Sequence, residues 1–117
     1  MLKEYSAVAE YDLKKYYPDL YIMLRKVRKE RILKFILDNM VKGKNEGLYR
    51  ENMNIDILSR ISLSHIDSMF DSEVITITEF LERPFFIEYF EYHLRGIVNA
   101  SGLKILEDQL QKLEDSK

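Results

Sequence analysis

Residues Phe85–Val98 read FFIEYFEYHLRGIV, and this pattern is the most informative in the chain. At helical spacing, the polar side chains of Glu88, Glu91 and Arg95 share one narrow stripe. Nearly all of the remaining circumference is apolar or aromatic. A helix with one buried face needs only one apolar stripe. The segment therefore predicts either the central helix of a domain or a helix between its own core and a second subunit.

Two helices are predicted in the N-terminal half. Apolar spacing indicates the first over residues 3–17, and Pro18 should end it and open a long helix over 19–44. Gly43 and Gly47 offer left-handed positions between which the long helix should end. We expect the first helix to bury Tyr5, Ala9, Leu13 and Tyr16 and to expose Lys3, Glu10 and Lys14.

Two shorter helical elements are predicted in the middle of the chain. Asn54 is a good N-cap, and the apolar spacing after it indicates a helix to about Phe70. The sequence VITIT at 74–78 alternates as a strand does, but nothing is available to pair with it. Because Thr76 and Glu79 have capping-box spacing, we expect a loop and then a short helical turn.

Two further helices are predicted in the C-terminal third. Pro84 should open the first, which reaches about Val98, and Ser101 should cap the second, which covers about 102–114. The second carries a leucine seam at three-four-three spacing: Leu103, Leu106, Leu110 and Leu113. The whole chain, residues 1–117, therefore predicts a single all-α domain, a helical bundle of about five to six helices.

Composition excludes several classes of function. The 117 residues contain no Cys, which removes disulfides, thiolate nucleophiles and cysteine-ligated metal sites. Eighteen basic and twenty acidic residues give a net charge of −2, so no overall field draws the chain to nucleic acid or anionic lipid. Apolar runs such as Leu20–Leu24 are too short to cross a bilayer, and no signal-peptide block is visible. We expect a soluble, cytoplasmic protein.

The last two predicted helices carry more apolar surface than a small domain easily covers. Full encirclement of one helix is difficult in a bundle of five or six, and a leucine seam is typical of bundle interfaces. We therefore expect a homodimer in which these helices form an intersubunit four-helix bundle, rather than a central helix within a monomer. The predicted interface residues are Phe86, Phe90, His93, Ile97, Leu103, Leu106, Leu110 and Leu113.

Three segments within about residues 16–110 form a combined pattern. The first is the Tyr17-Pro18 break followed by a long helix that ends in GKNEGLYR (43–50). The second is the helix that begins after Asn54. The third is YHLRGI (92–97), followed by Gly102-Leu103 at the start of the last helix. In this order and spacing, the chain resembles the C-terminal domain of TetR-type transcriptional repressors. The resemblance implies a ligand-sensing and dimerisation domain whose last two helices form the dimer interface.

The same resemblance implies a mechanism. In the family, a small ligand shifts the population between two dimer geometries and so changes DNA binding by an N-terminal helix-turn-helix module. The pocket usually lies among the long helix, the helix after it and the penultimate helix. Only a short segment precedes Pro18, and it supplies no recognition helix. We therefore expect this chain to lack the DNA reader and to make no nucleic-acid contact itself.

Polar and aromatic residues on apolar helix faces are the candidate ligand contacts. His65 shares a face with Ile61 and Met69, and Asn39 lies beside Phe35. Each could anchor a ligand in a mostly apolar pocket, or be a core residue whose hydrogen bonds are satisfied internally. Such a pocket suits a small hydrophobic effector and needs no cofactor or metal. The candidate ligand-binding residues are Phe35, Asn39, His65, Met69 and Tyr89.

Other functional patterns are weak. The basic run Arg25–Arg31 spreads around its helix with Glu30 inside it, so we expect a solvated surface rather than a nucleic-acid site. Neither His65 nor His93 has a glutamate three positions before it or a recognisable nucleophile partner, so we expect no enzymatic activity. The alternative function is a helical protein–protein interaction or oligomerisation module without a small ligand.

Overall fold

The computed structural model of the chain describes residues 7–116. Within that range the chain is all-α, as predicted, and VITIT at 74–78 forms no strand. The one sheet-like pairing there is an isolated antiparallel bridge between Tyr49 and Val98. The helices are α1 (Ala7–Tyr16), α2 (Pro18–Asn45), α3 (Ile55–Ser68), α4 (Ile77–Leu81), α5 (Arg83–Arg95) and α6 (Ala100–Asp115).

Helix α2 has the predicted start and end. Pro18 occupies its first turn, where the missing amide hydrogen costs nothing, and Asp19 lies at the positive end of the helix dipole. The helix ends at Asn45, and Gly47 follows with a φ of +73°, the left-handed region that favours glycine. With 28 residues α2 is the longest described helix, yet none of the described helices is apolar enough over a sufficient length to cross a membrane.

The predicted burial of the first helix is wrong. Glu10, expected to face solvent, is only 9% exposed, whereas Tyr16, expected to be buried, is largely exposed. The reason is a contact with α2, because the buried Tyr21 donates a hydrogen bond from its hydroxyl to Glu10 Oε1 at 3.4 Å. The predicted Tyr5 lies outside the described residues.

Helices α3 and α4 begin as predicted. Asn54 caps α3 by accepting a hydrogen bond from the Ile57 amide at 3.0 Å. Thr76 and Glu79 form a complete capping box at the start of α4. In both cases the partners lie three residues apart, so short-range sequence information is enough to predict the cap.

The ends of the last two helices differ from the prediction. Helix α5 ends at Arg95 instead of Val98, because the chain leaves the helix to pair with the connector after α2. The amide of Arg50 donates to the Ile97 carbonyl at 2.9 Å, and the amide of Asn99 donates to the Leu48 carbonyl at 3.0 Å.

Asn99 rather than Ser101 caps α6. The Asn99 side chain accepts a hydrogen bond from the Gly102 amide at 2.9 Å and donates to the Gly47 carbonyl at 2.7 Å. Gly102 lies so close to the Leu48 carbonyl oxygen that a Cβ atom there would overlap it. The start of α6 is therefore fixed against the connector that follows α2.

Two groups of buried side chains form the core. The first joins α2, the connector after it and the turn after α5, and the second joins the end of α3 to α4. No residue of α5 is fully buried, and Tyr92 is 72% exposed, so α5 is not a central helix of the single chain. The first group contains Ile36, Met40, Tyr49, Met53 and Ile97, and the second contains Phe70, Ile77 and Phe80.

Candidate functional site

A pocket of about 220 Å³ lies between α3 and α5, and we call it the α3–α5 pocket. It brings both histidines of the chain together with a serine and two tyrosines over an apolar wall. Its lining residues are Leu58, Ile61, Ser62, His65, Tyr89, Tyr92, His93, Gly96 and Ile97.

Helical spacing explains how these side chains converge. Ser62 and His65 are three residues apart on α3, and Tyr89 and His93 are four residues apart on α5, so each pair shares a helix face. The Ser62 Oγ and His93 Nδ1 atoms lie 3.3 Å apart across the two helices. The Tyr89 and His93 rings are stacked, with an interplanar angle of 6° and centroids 6.3 Å apart.

Two side chains of the α3–α5 pocket have pKa values shifted toward their neutral forms. Burial lowers the pKa of His93, and the neighbouring His65 lowers it further, so its imidazole is uncharged. Burial raises the pKa of Tyr89, with a smaller contribution from Tyr92, so the phenol keeps its proton. Within residues 7–116, no Asp, Glu, Lys or Arg lines the pocket. His93 and Tyr89 can therefore exchange uncharged hydrogen bonds with a ligand.

The structure brings only part of the predicted ligand-binding set together. His65 and Tyr89 line the α3–α5 pocket, and Met69 packs against the second core group. Phe35 is 68% exposed on α2, away from the pocket lining. Asn39 is also outside the lining, and its Oδ1 accepts a hydrogen bond from the Tyr49 hydroxyl at 2.6 Å, so this amide connects α2 to the connector.

Three polar or aromatic lining residues were not in the predicted ligand-binding set: Ser62, Tyr92 and His93. Ser62 lies four residues after Leu58 and three before His65, so helical spacing alone places it on the same face. His93 was assigned to the dimer interface, yet its ring faces Ser62 of α3. Among the described residues, no cluster of three or more His, Cys, Asp or Glu side chains could hold a metal ion.

The predicted interface residues divide into inner and outer sets. Ile97, at 3% exposure, and Leu106 are already buried within one chain, so neither is presented to a second copy. Phe90 is half-buried and packs against Phe86, with ring centroids 4.5 Å apart, while Phe86 itself remains 42% exposed. Along α6, Leu103 and Leu110 are half-buried, and Leu113 is exposed.

The charged stripe of α5 lies on the side of the helix next to α6, where Glu88 and Arg95 remain exposed. Glu88, Glu91 and Arg95 line an open groove of about 650 Å³ between these helices. Arg95 pairs with Glu91 at 2.8 Å and with Glu107 of α6 at 3.6 Å. None of the predicted ligand-binding residues lines this groove, although it is larger than the α3–α5 pocket.

Part of the basic run also departs from prediction. Arg25, Arg28 and Lys29 form ion pairs with acidic residues at the end of α3 instead of facing solvent freely. The Arg28 guanidinium lies 3.6 Å from the centroid of the Phe70 ring, a cation–π contact. The sequence pattern gave no sign of these partners because they lie on a different helix.

Comparison with known proteins gives no independent assignment. A scan against protein-family models found no match to the chain. A search of curated proteins and a search of solved structures each returned no match either. The functional proposal therefore depends on the geometry of the α3–α5 pocket, the exposed surfaces of α5 and α6, and the sequence resemblance.

Proposed function

We propose that this chain is the ligand-sensing and dimerisation domain of a TetR-type transcriptional regulator, and that a small hydrophobic effector binds in the α3–α5 pocket. The observation that carries the proposal is the convergence of Ser62, His65 and His93 over the apolar wall of that pocket. The pocket lies between the helix after the long helix and the penultimate long one. These are two of the three helices among which the resemblance implies a ligand site, and the described lining includes no residue of α2, the third.

The chemistry of the pocket indicates the kind of effector. Its lining combines aliphatic and aromatic side chains with a few neutral hydrogen-bonding groups, the usual composition of a small-molecule site. Its volume of about 220 Å³ suits a single aromatic ring or one end of a longer ligand. A ligand with an apolar body and one or two uncharged polar groups fits best.

The exposed surface of α5 supports dimerisation. Phe85 and Phe86 are 41% and 42% exposed, and Ile105 and Leu113 of α6 are 47% and 39% exposed. Full burial of an exposed side chain of this size contributes about 1.5–3 kcal/mol, and because these side chains are already more than half buried, each would add only the remaining part on association. Effector binding would then act on the relative population of two dimer geometries, with DNA bound by a helix-turn-helix module outside this chain.

A second candidate function is an oligomerisation or protein–protein interaction module with no small ligand. The exposed apolar residues on α2, such as Phe35 and Ile22, favour it because they lie outside both the pocket and the proposed dimer surface. The two functions differ in one respect that can be measured. Only the sensing domain has a saturable small-molecule site between α3 and α5.

Titration with small aromatic probes, phenol and indole, tests the proposed function. We expect saturable chemical-shift changes in two-dimensional NMR spectra that are confined to residues of the α3–α5 pocket. Tyr92→Ala removes an exposed wall of this pocket and should weaken probe binding about three- to tenfold, a typical value for one aromatic contact. Tyr16→Ala is the matched control, because Tyr16 is a similarly exposed tyrosine on α1.

The alternative outcomes are distinct. Shifts spread over exposed aromatic residues without saturation, or equal effects of the Tyr92 and Tyr16 variants, would argue against a ligand site between α3 and α5. Either result would favour the interaction module.

A further inference from the structure

A continuous set of polar contacts connects α1 to the end of α3. It starts at Glu10 of α1, a residue type that is rarely buried without a partner. The Tyr21 hydroxyl donates to Glu10 at 3.4 Å, and Arg25 Nη1 donates to the same hydroxyl oxygen at 3.4 Å. A single phenol on α2 therefore connects the carboxylate of α1 to the guanidinium of Arg25.

Arg25 continues these contacts to α3. Its Nη2 atom lies 3.1 Å from Asp71 Oδ2, just after α3, and 3.7 Å from Asp67 Oδ2 within it. Asp67 is also approached by Arg28 at 3.5 Å and by Lys29 at 3.6 Å. Three cations of α2 thus lie near two carboxylates, and among the ion pairs of the described residues Asp71 is approached by Arg25 alone.

Arg25 has a different position from its two basic neighbours. In the described chain it contacts both the Tyr21 hydroxyl and the acidic residues at the end of α3, whereas the ion pairs of Arg28 and Lys29 connect α2 to Asp67 only. The Arg25 guanidinium also lies 5.7 Å from the centroid of the Tyr21 ring. Arg25 therefore lies between Asp71 and the hydroxyl that donates to Glu10.

We propose that Arg25 couples the anchoring of α1 to the end of α3, so that loss of the Asp71 contact loosens α1. Arg25 is a positioning residue in this device, because it acts on α1 through Tyr21. The coupling is a property of the fold and does not need a ligand. Its use in sensing rests on the proposed function, since α3 also supplies Ser62 and His65 to the pocket.

Hydrogen exchange of the full chain, measured with millisecond labelling, tests the coupling. Asp71→Asn removes the charge that pairs with Arg25. None of the ion pairs and hydrogen bonds described above joins Asp71 directly to α1. We expect the substitution to raise the exchange rate of α1 amides about two- to fivefold, the scale of one partly exposed ion pair. Tyr21→Phe should raise the exchange rate of α1 amides by a similar factor, because it removes the hydroxyl that donates a hydrogen bond to Glu10.

Two further variants make the test specific. Asp38→Asn breaks a comparable pair on α2, the exposed Lys34–Asp38 contact at 2.8 Å, and should leave α1 exchange unchanged. The double variant Tyr21→Phe/Asp71→Asn should show an effect on α1 smaller than the product of the two single changes, because both act through Arg25.

The proposal is overturned by any of three results. The first is unchanged α1 exchange in Asp71→Asn, and the second is an equal rise in α1, α5 and α6, which would mean general destabilisation. The third is an increase of the α1 exchange rate in the double variant that equals the product of the two single increases. None of these results depends on probe binding, so failure of the coupling and failure of the proposed ligand site are distinguishable.

Discussion

The imidazole of His93 is half-buried between α3 and α5, beside Ser62, His65 and Tyr89. Its pKa is lowered from the ordinary value of 6.5, chiefly by burial and secondarily by His65. The unfolded chain therefore binds a proton more readily than the folded chain does. The stability gained from a neutral His93 is present above about pH 6.5 and is lost as the pH falls through the lowered pKa of the folded state.

We predict that the free energy of unfolding falls between pH 8 and pH 5. Urea denaturation at each pH, monitored by circular dichroism, measures this fall. His93→Gln should reduce it, because glutamine does not titrate. His65→Gln is the matched control and should retain most of the loss, since burial is the main cause of the His93 shift. An unchanged pH dependence in His93→Gln would contradict the assignment.

At the level of single residues, sequence predicted contacts within a helix better than contacts between helices. The caps at Asn54 and Thr76 were predictable because each partner is three residues away. Glu10 was placed on the wrong face because its partner, Tyr21, belongs to another helix. Helical spacing identifies which residues share a face but does not show what that face contacts.

At the level of elements, the connector after α2 determines where α5 ends and α6 begins. Asn99 caps α6 and also donates to two carbonyl oxygens of the connector, those of Gly47 and Tyr49. Serine and asparagine are comparably good N-cap residues, so the local sequence does not separate Ser101, the predicted cap, from Asn99. The choice between them depends on contacts some fifty residues distant in sequence, which a local pattern does not contain.

We predict that Asn99→Ala lowers the free energy of unfolding by about 1–2 kcal/mol, since it removes an N-cap and leaves connector carbonyls without their donor. Ser101→Ala should change it by less than about 0.5 kcal/mol, the usual range for a surface substitution. Urea denaturation of both variants measures the difference. Equal effects of the two substitutions would show that Asn99 does not fix the start of α6.

At the scale of the whole molecule, composition and periodicity were sufficient to predict an all-α chain and the extent of α2. Two of the five candidate ligand-binding residues, His65 and Tyr89, line the same pocket, and their role as a ligand site stays a prediction. Composition and periodicity did not show that Phe35 is exposed, since position on an apolar stripe does not reveal whether another helix covers that stripe. Of the predicted interface residues, Phe86 and Leu113 are about two-fifths exposed and Ile97 and Leu106 are buried, so the interface stays a prediction.

We propose that α5 and α6 form the surface through which two copies of this chain associate. Sedimentation equilibrium across a micromolar concentration series tests it most directly. We predict twice the 14.0 kDa mass of one chain, and an association at least about tenfold weaker in Phe86→Asp, which loses a buried apolar contact in each copy.

Phe35→Asp is the matched control, because Phe35 is a more exposed phenylalanine on α2. It should leave the dimer intact, and circular dichroism should show unchanged helix content in both variants. A mass of 14.0 kDa at every concentration would contradict the account. So would a dimer that dissociates in Phe35→Asp and persists in Phe86→Asp.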